Sequence, residues 1–224
     1  HQHYLWHWHG TGEPLHPPPD LAPLARPGYA FEQRTIRVRA NWRLVLENSL
    51  DFAHSAYVHP FTQPSWALHQ LGGALTMQAT YQPTPDGLTV DGRLGRFRAY
   101  AHSFALPDRL RLVVLPDTPL AVDLVVHHVP EDERTTRMEV LMGRRALPFE
   151  RRGPVFKDGL MLIHEQDVAI VEAQQAALDA GPAFVEQHCA ADAYTLLLRR
   201  VLDAAAADGW TPPDAEPRTI AMRV

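Results

Sequence analysis

Among 224 residues the chain has a single cysteine, Cys189. One thiol closes no intrachain disulfide, and it cannot by itself hold a cysteine-ligated cluster. A reducing compartment is the expected setting. Long apolar runs are missing as well: no stretch approaches the roughly 20 residues that cross a bilayer. The opening residues carry His and Trp rather than a basic segment followed by an apolar one. No secretory signal is therefore expected, and the cytoplasm is the expected location. Positive charge is not in excess either. Lys and Arg number 21 against 26 Asp and Glu, for a net charge of −5 and a pI near 6.2, which gives no electrostatic footing for nucleic acid or an anionic membrane. Internal repeats are lacking, as are a phosphate-cradling glycine loop, a nucleophile elbow and a His-Glu-x-x-His helix.

What is present reads as one folded domain, since a 46% hydrophobic composition in this length can bury a sizeable core. His3 to His9 alternates, with Tyr4, Trp6 and Trp8 on one face, and predicts a strand. Thr11 to Pro27, rich in Pro and Gly, predicts a connecting loop. A second strand is predicted over Gln33 to Ala40, and Asn41 is placed to cap a helix carrying Trp42, Val45, Leu46 and Ser49 at helical spacing. Pro60, Pro64 and Gly72-Gly73 bound a loop with Phe61, Trp66 and His69. From about Ala74 to Met142, short β-like runs alternate with turn clusters at Pro83–Gly87, Leu106–Asp108, Pro116–Pro119 and Pro130–Glu133, which predicts an antiparallel meander. Phe149 to Ala180 and Ala190 to Ala207 predict amphipathic helices, closed by Gly181-Pro182 and by Gly209. Strands grouped between helices give an α+β domain with its sheet wrapped around a helix.

The chemistry concentrates in Glu47–Pro60, which places Asn48, Asp51, His54 and His59 within about three helical turns. Far downstream, His164–Gln175 offers the carboxylates of Glu165, Asp167 and Glu172. Two neutral imidazoles and one carboxylate form the ligand set of non-haem Fe(II) centres, which leave their remaining positions open. Zn²⁺ takes the same donors. In a regular helix five residues turn by about 140° and rise about 7.5 Å, which would point His54 and His59 apart. The helix is therefore predicted to bulge, tighten or end between them, and Pro60 favours an end. Asp167, flanked by Ile163, Val168 and Ile170, is the carboxylate most suited to face inward, while Glu165 and Glu172 read equally as a solvated helix face. Asp51 and Asn48 read as helix-surface or capping groups, or as supports of the site. His1, His3, His7 and His9 read as decoration of a strand rather than a metal site. Of His127 and His128 only one can face a pocket; together with His102, Phe104, Phe61 and Trp66 it lines either a substrate cavity or the core.

These residues resemble the catalytic domain of the Rieske non-haem iron oxygenases, the α subunits of ring-hydroxylating oxygenases and O-demethylases. The resemblance runs from Asn41-Trp42-Arg43-Leu44-Val45-Leu46-Glu47-Asn48 through Asp51, His54 and His59, and resumes at Asp167. Tyr4–Gly10 is similar to the strand that leaves the Rieske domain. The short spacing from Asn48 to Asp51 is similar to that of the single-subunit monooxygenases and demethylases. The resemblance implies a helix-grip (START/Bet v1-like) fold, an antiparallel sheet wrapped around a long helix. Residues 1–27 would be the tail of a preceding Rieske domain with its linker, and 28–224 the catalytic mononuclear-iron domain. It implies Fe(II) held by His54, His59 and Asp167. Asp51 would hydrogen-bond a ligand histidine and bridge toward the Rieske cluster of a neighbouring subunit, with Asn48 beside the open iron positions. The [2Fe–2S] cluster is expected only in that N-terminal domain, because the sequence starts on a strand at His1 and holds one cysteine. The implied reaction is O₂-dependent hydroxylation or oxidative demethylation of a small aromatic or apolar substrate. Electrons would come from a reductase or ferredoxin, in a homotrimer, with no nucleic acid or membrane as partner. Two other readings of the same residues stay open: a non-catalytic helix-grip ligand-binding module, and a Zn hydrolase using the same ligands.

Overall fold

The alternation around Ile36 and Val38 becomes strand β1 (Tyr29–Val38), in which Val38 is buried and Glu32, Arg34 and Arg37 carry charge at a sheet edge. The computed structural model describes residues 27–59, 76–145, 157–181, 185–207, 211–213 and 216–223, with residues 5, 7, 12, 13, 21 and 24 besides. The expected strand around Tyr4–Trp8, apart from Leu5 and His7, the loop with Phe61, Trp66 and His69, and the expected helix start at 149–156 lie outside these residues. Asn41 caps α1 (Trp42–Leu50) as its type predicts: the side-chain oxygen accepts the Arg43 N–H at 3.0 Å.

The meander follows as β2 (Thr76–Thr84), β3 (Gly87–Leu94), β4 (Phe97–Ala105), β5 (Arg109–Val114), β6 (Val122–Asp132) and β7 (Thr135–Arg145). A last strand, β8 (Arg218–Arg223), pairs with β2, and the eight form one antiparallel sheet in the order β1-β7-β6-β5-β4-β3-β2-β8. Three details differ from the sequence reading. β8 is unanticipated, because its alternation is short and its partner is distant in sequence. A two-residue hairpin at Gly95-Arg96 divides β3 from β4, with Gly95 at φ +58°, the left-handed region that favours glycine. The turn expected at Pro130–Glu133 sits later: β6 runs through Pro130 to Asp132 by an irregularity in register. The chain then reverses where the Asp132 carboxylate accepts the Arg134 N–H at 2.8 Å.

Helix α1 packs on β5, β6 and β7. Helix α3 (Lys157–Ala180) lies against α1 and β1, and α4 (Ala193–Ala207) lies on β3. This is the α+β helix-grip arrangement. The core on the helix side divides in two. Leu46, Leu50, Phe104, Tyr194 and Leu198 fill one half, while Val45, Val126, Val140 and Val171 join α1 and α3 to the other. Truncating a buried leucine such as Leu50 to alanine removes about 2–5 kcal/mol of stability. Leu21 and Leu24 cover Val125 and Leu141 on the opposite face. They approach so closely that a Cβ on Gly143 would lie 2.3 Å from the Leu24 carbonyl oxygen. No helix among the described residues is long and apolar enough to cross a membrane.

Candidate metal centre

The stretch expected to be one helical segment is two. α1 stops at Leu50, and its C-cap, Asp51, turns to extended dihedrals of −68° and 113°. After a short turn, α2 (Ser55–Val58) forms a single helical turn whose N-cap is His54 and whose C-cap is His59, at φ −116° and ψ 46°. The predicted departure from regular helix is thus met by ending the helix at His59. With both histidines at the ends of one turn rather than on its side, their rings converge to a centroid separation of 5.3 Å.

Helix α3 brings Asp167 to them. Its Oδ1 lies 3.3 Å from His54 Nε2 and 3.1 Å from His59 Nε2, and one ligand atom from each of the three residues falls within 4.8 Å of the others. Glu165 is exposed, and Glu172 is engaged elsewhere by Arg39, whose Nη2 and backbone N–H donate to it at 2.7 and 2.9 Å. Donors about 2.0–2.2 Å from one ion and spaced by about 90–110° stand roughly 2.8–3.6 Å apart, so the two separations from Asp167 suit a shared cation. Asp167 Oδ1 is moreover buried without a well-formed hydrogen bond, an arrangement that is costly unless a cation or proton occupies the gap. The electrostatics agree. Burial pushes His54 down, but the carboxylates of Asp167 and Asp51 outweigh it and raise the imidazole to about 9. Burial opposes ionisation of Asp167 too, yet His54 and His59 hold it below the usual carboxylate range. A site that attracts a proton this strongly without metal is built for positive charge.

Comparison with known proteins points the same way. A family model described as the 3-ketosteroid 9α-hydroxylase C-terminal domain matches residues 5–148, well over half of the 224 residues. The model of the vanillate O-demethylase oxygenase C-terminal domain matches residues 98–208. The chain belongs to the catalytic C-terminal domains of the Rieske oxygenases. No curated protein matches its sequence. Among solved structures, NdmA of Pseudomonas putida CBB5, solved with caffeine, superposes with a TM-score of 0.64 at 15% identity over 89% of this chain and 62% of its own. NdmB of the same organism gives 0.61 at 16% identity, over 82% and 53%. Dicamba monooxygenase bound to dicamba gives 0.59 at 15% identity, over 84% and 63%. These likenesses are of fold, and the chain spans less than two thirds of the length of each.

Within this Rieske oxygenase domain the remaining candidates separate. Asp51 Oδ2 faces His54 Nδ1 at 3.6 Å, longer than a hydrogen bond but close enough to orient a charge. Asn48 is half-buried on α1 and makes no side-chain hydrogen bond among the described residues. His128 is the member of the His127-His128 pair that turns to the helix layer. Burial holds it neutral, at about 4, so Nδ1–H donates to the Asp108 carbonyl at 3.1 Å and Nε2 accepts from Ser49 Oγ at 2.9 Å. It clamps α1 to β6. His127 faces Asp108 Oδ1 at 3.3 Å. Phe104 is core, and His102 is fully enclosed beside Phe52 and Tyr100. His1, His3 and His9 lie outside the described residues.

Sequence reasoning missed Gln166. Its side-chain oxygen lies 2.9 Å from His59 Nδ1; by accepting Nδ1–H it would leave Nε2, which faces Asp167, as the nitrogen free to bind an ion. Fixing the tautomer of a ligand histidine from its far nitrogen is how metal sites set ring orientation. An amide carries no motif, and only its place beside Asp167 on an inward helix face marked it.

Proposed function

We propose that this domain holds Fe(II) through His54, His59 and Asp167. There it would carry out O₂-dependent hydroxylation or oxidative demethylation of a small aromatic or apolar substrate. The observation that carries this reading is the convergence of two imidazole Nε2 atoms on one buried oxygen of Asp167, within a Rieske oxygenase catalytic fold. Bound iron supplies O₂ activation at coordination positions that a two-histidine, one-carboxylate set leaves open. The chain's own residues do the holding. Gln166 keeps His59 in its ligating tautomer, and Asp51 stands ready to take the Nδ1–H of His54 once its Nε2 is committed to metal. Asn48 remains a candidate for the substrate side of the same helix.

Electrons would come from a reductase or ferredoxin through a [2Fe–2S] cluster in a preceding domain, with residues 1–27 as tail and linker to the catalytic domain 28–224. The Asp51 side chain is 37% exposed, which leaves it reachable by a neighbouring subunit's cluster in a homotrimer. The small-molecule ligands of NdmA and dicamba monooxygenase, caffeine and dicamba, support a small organic substrate, and the single cysteine supports a cytoplasmic setting. Metal analysis after anaerobic Fe(II) loading tests the reading. One iron per chain is expected, absent in Asp167→Ala, with substrate-dependent O₂ uptake when a chemical reductant is added. Retention of zinc with hydrolytic activity would favour the hydrolase, and failure to bind any metal the ligand-binding module.

A further inference from the structure

The two oxygens of Asp51 have different surroundings. Oδ1 accepts the Ala53 N–H at 2.8 Å and the Tyr194 hydroxyl at 3.3 Å, while Oδ2 is left to face His54 Nδ1. The Ala53 contact is a local turn that Asp forms readily at a helix end. The Tyr194 contact is not local, since it arrives from the first turn of α4. Tyr194 is fully buried, and its oxygen also accepts the Phe52 N–H at 3.4 Å. One hydroxyl therefore ties both the carboxylate of Asp51 and the backbone that follows it, in the break between α1 and α2.

The tyrosine is itself firmly placed. Arg199, one helical stretch further along α4, grips Glu47 of α1 through Nε and Nη2 at 2.7 and 2.8 Å, and Arg43 of α1 reaches Asp203 at 2.6 Å. On its other side Tyr194 meets Tyr81 edge to face, with ring centroids 6.5 Å apart. A donor held this rigidly sets the plane of the carboxylate it binds. With Oδ1 pinned by two donors, the Asp51 side chain cannot swing without losing one of them, and Oδ2 stays directed at the far nitrogen of His54.

We infer that Tyr194 is a positioning residue for the metal centre, acting through Asp51 on the orientation of the His54 imidazole. The inference rests on the reading of His54 as a metal ligand. Co(II) binding to this chain tests it without turnover, by affinity and by the visible absorption of the bound ion, in wild type, Tyr194→Phe, Asp51→Asn and the double variant. Groups that touch a metal ligand alter affinity by about 10- to 100-fold, so a group one contact further out is expected to weaken Co(II) binding by about threefold to tenfold and to shift the absorption band. That effect should vanish in the Asp51→Asn background, because the hydroxyl then has no carboxylate to orient. Unchanged affinity and spectrum in Tyr194→Phe would overturn the inference, as would an equal loss in both backgrounds, which marks a merely structural role. A wild-type chain that binds no Co(II) would instead sink the metal reading itself. Should Tyr194→Phe fail to fold, 3-fluorotyrosine at 194 changes donor strength at nearly constant shape. It should then shift the Co(II) band only when Asp51 is intact, and an unmoved band would refute the role.

Discussion

Metal and proton compete for His54, and the competition can be counted. In the metal-free chain the imidazole is raised from 6.5 to about 9, so at pH 7 it carries a proton that must leave before Nε2 can bind an ion. Removing it about two units below its pKa takes about 2.7 kcal/mol, or roughly 100-fold in apparent affinity. Co(II) affinity should accordingly rise about tenfold per pH unit between pH 7 and about 9, then level off. Calorimetric titration at pH 7 in two buffers of different ionisation heat should find close to one proton released per ion. An unperturbed histidine would release about a quarter of one at that pH. A count that low, with affinity flat above pH 7, would refute the electrostatic account of the site. The same pair acts on folding, and the sign is fixed by the direction of the shift. Because the folded pKa is raised, the stabilisation is complete below about 6.5 and is lost as pH climbs through about 9. It amounts to something on the order of 3 kcal/mol, for a side chain that is 17% exposed. Denaturant unfolding of the metal-free chain at the two ends of that window should show the loss, and His54→Gln should abolish it.

Asp167→Ala should eliminate stoichiometric metal binding, read as iron retained after desalting, and should bring His54 back toward an ordinary pKa by removing its principal carboxylate partner. Ser49→Ala leaves the fully buried His128 Nε2 without its donor. That should destabilise by about 1–3 kcal/mol and lower Tm by roughly 2–4 °C for each of them in scanning calorimetry; an unchanged Tm would mean α1 is not held there. Gly92→Ala puts a Cβ 2.0 Å from Tyr100 Cε1 in the core. A shift of the urea midpoint equivalent to about 1–3 kcal/mol or more is expected.

Local signals carried much of the fold. The Asn41 cap, the turn at Leu106–Asp108 and the close of α3 at Ala180 before Gly181 each depend on a few adjacent residues whose types restrict the backbone, and the structure has them where those residues stand. The misses share a cause. Pro130 lacks an N–H, which argued for a turn, but an irregular register with β7 lets β6 run past it. Gly95 is a lone glycine inside an alternating run, and only the pairing of Leu94 with Phe97 makes it a hairpin. β8 is six residues whose inward side chains, Ile220 and Met222, become a strand by pairing with β2 far upstream. In each case tertiary pairing decided, and no property of the local sequence encodes it.

The site divides along the same line, with a consequence for reading such centres. The spacing of His54 and His59 required the helix to bulge, tighten or end, Pro60 favoured an end, and α2 does end at His59. Of three nearby carboxylates, the apolar residues around Asp167 marked it as the one suited to face inward. The structure adds that Arg39, in the bend after β1, engages Glu172 while Glu165 is exposed. The groups packed around the candidate site left no trace in sequence: Gln166 beside His59, Tyr194 beside Asp51 and the Ser49–His128 clamp between α1 and β6 are ordinary amide, phenol and hydroxyl side chains, acting across separations of 107, 143 and 79 residues. Ligand atoms must be nitrogen or carboxylate oxygen in a narrow geometry, which restricts residue type and leaves a pattern. Orientation of a ring needs only one well-placed hydrogen-bonding atom, which many residue types can offer from any element that passes. The outer layer of a metal site therefore has to be read from packing.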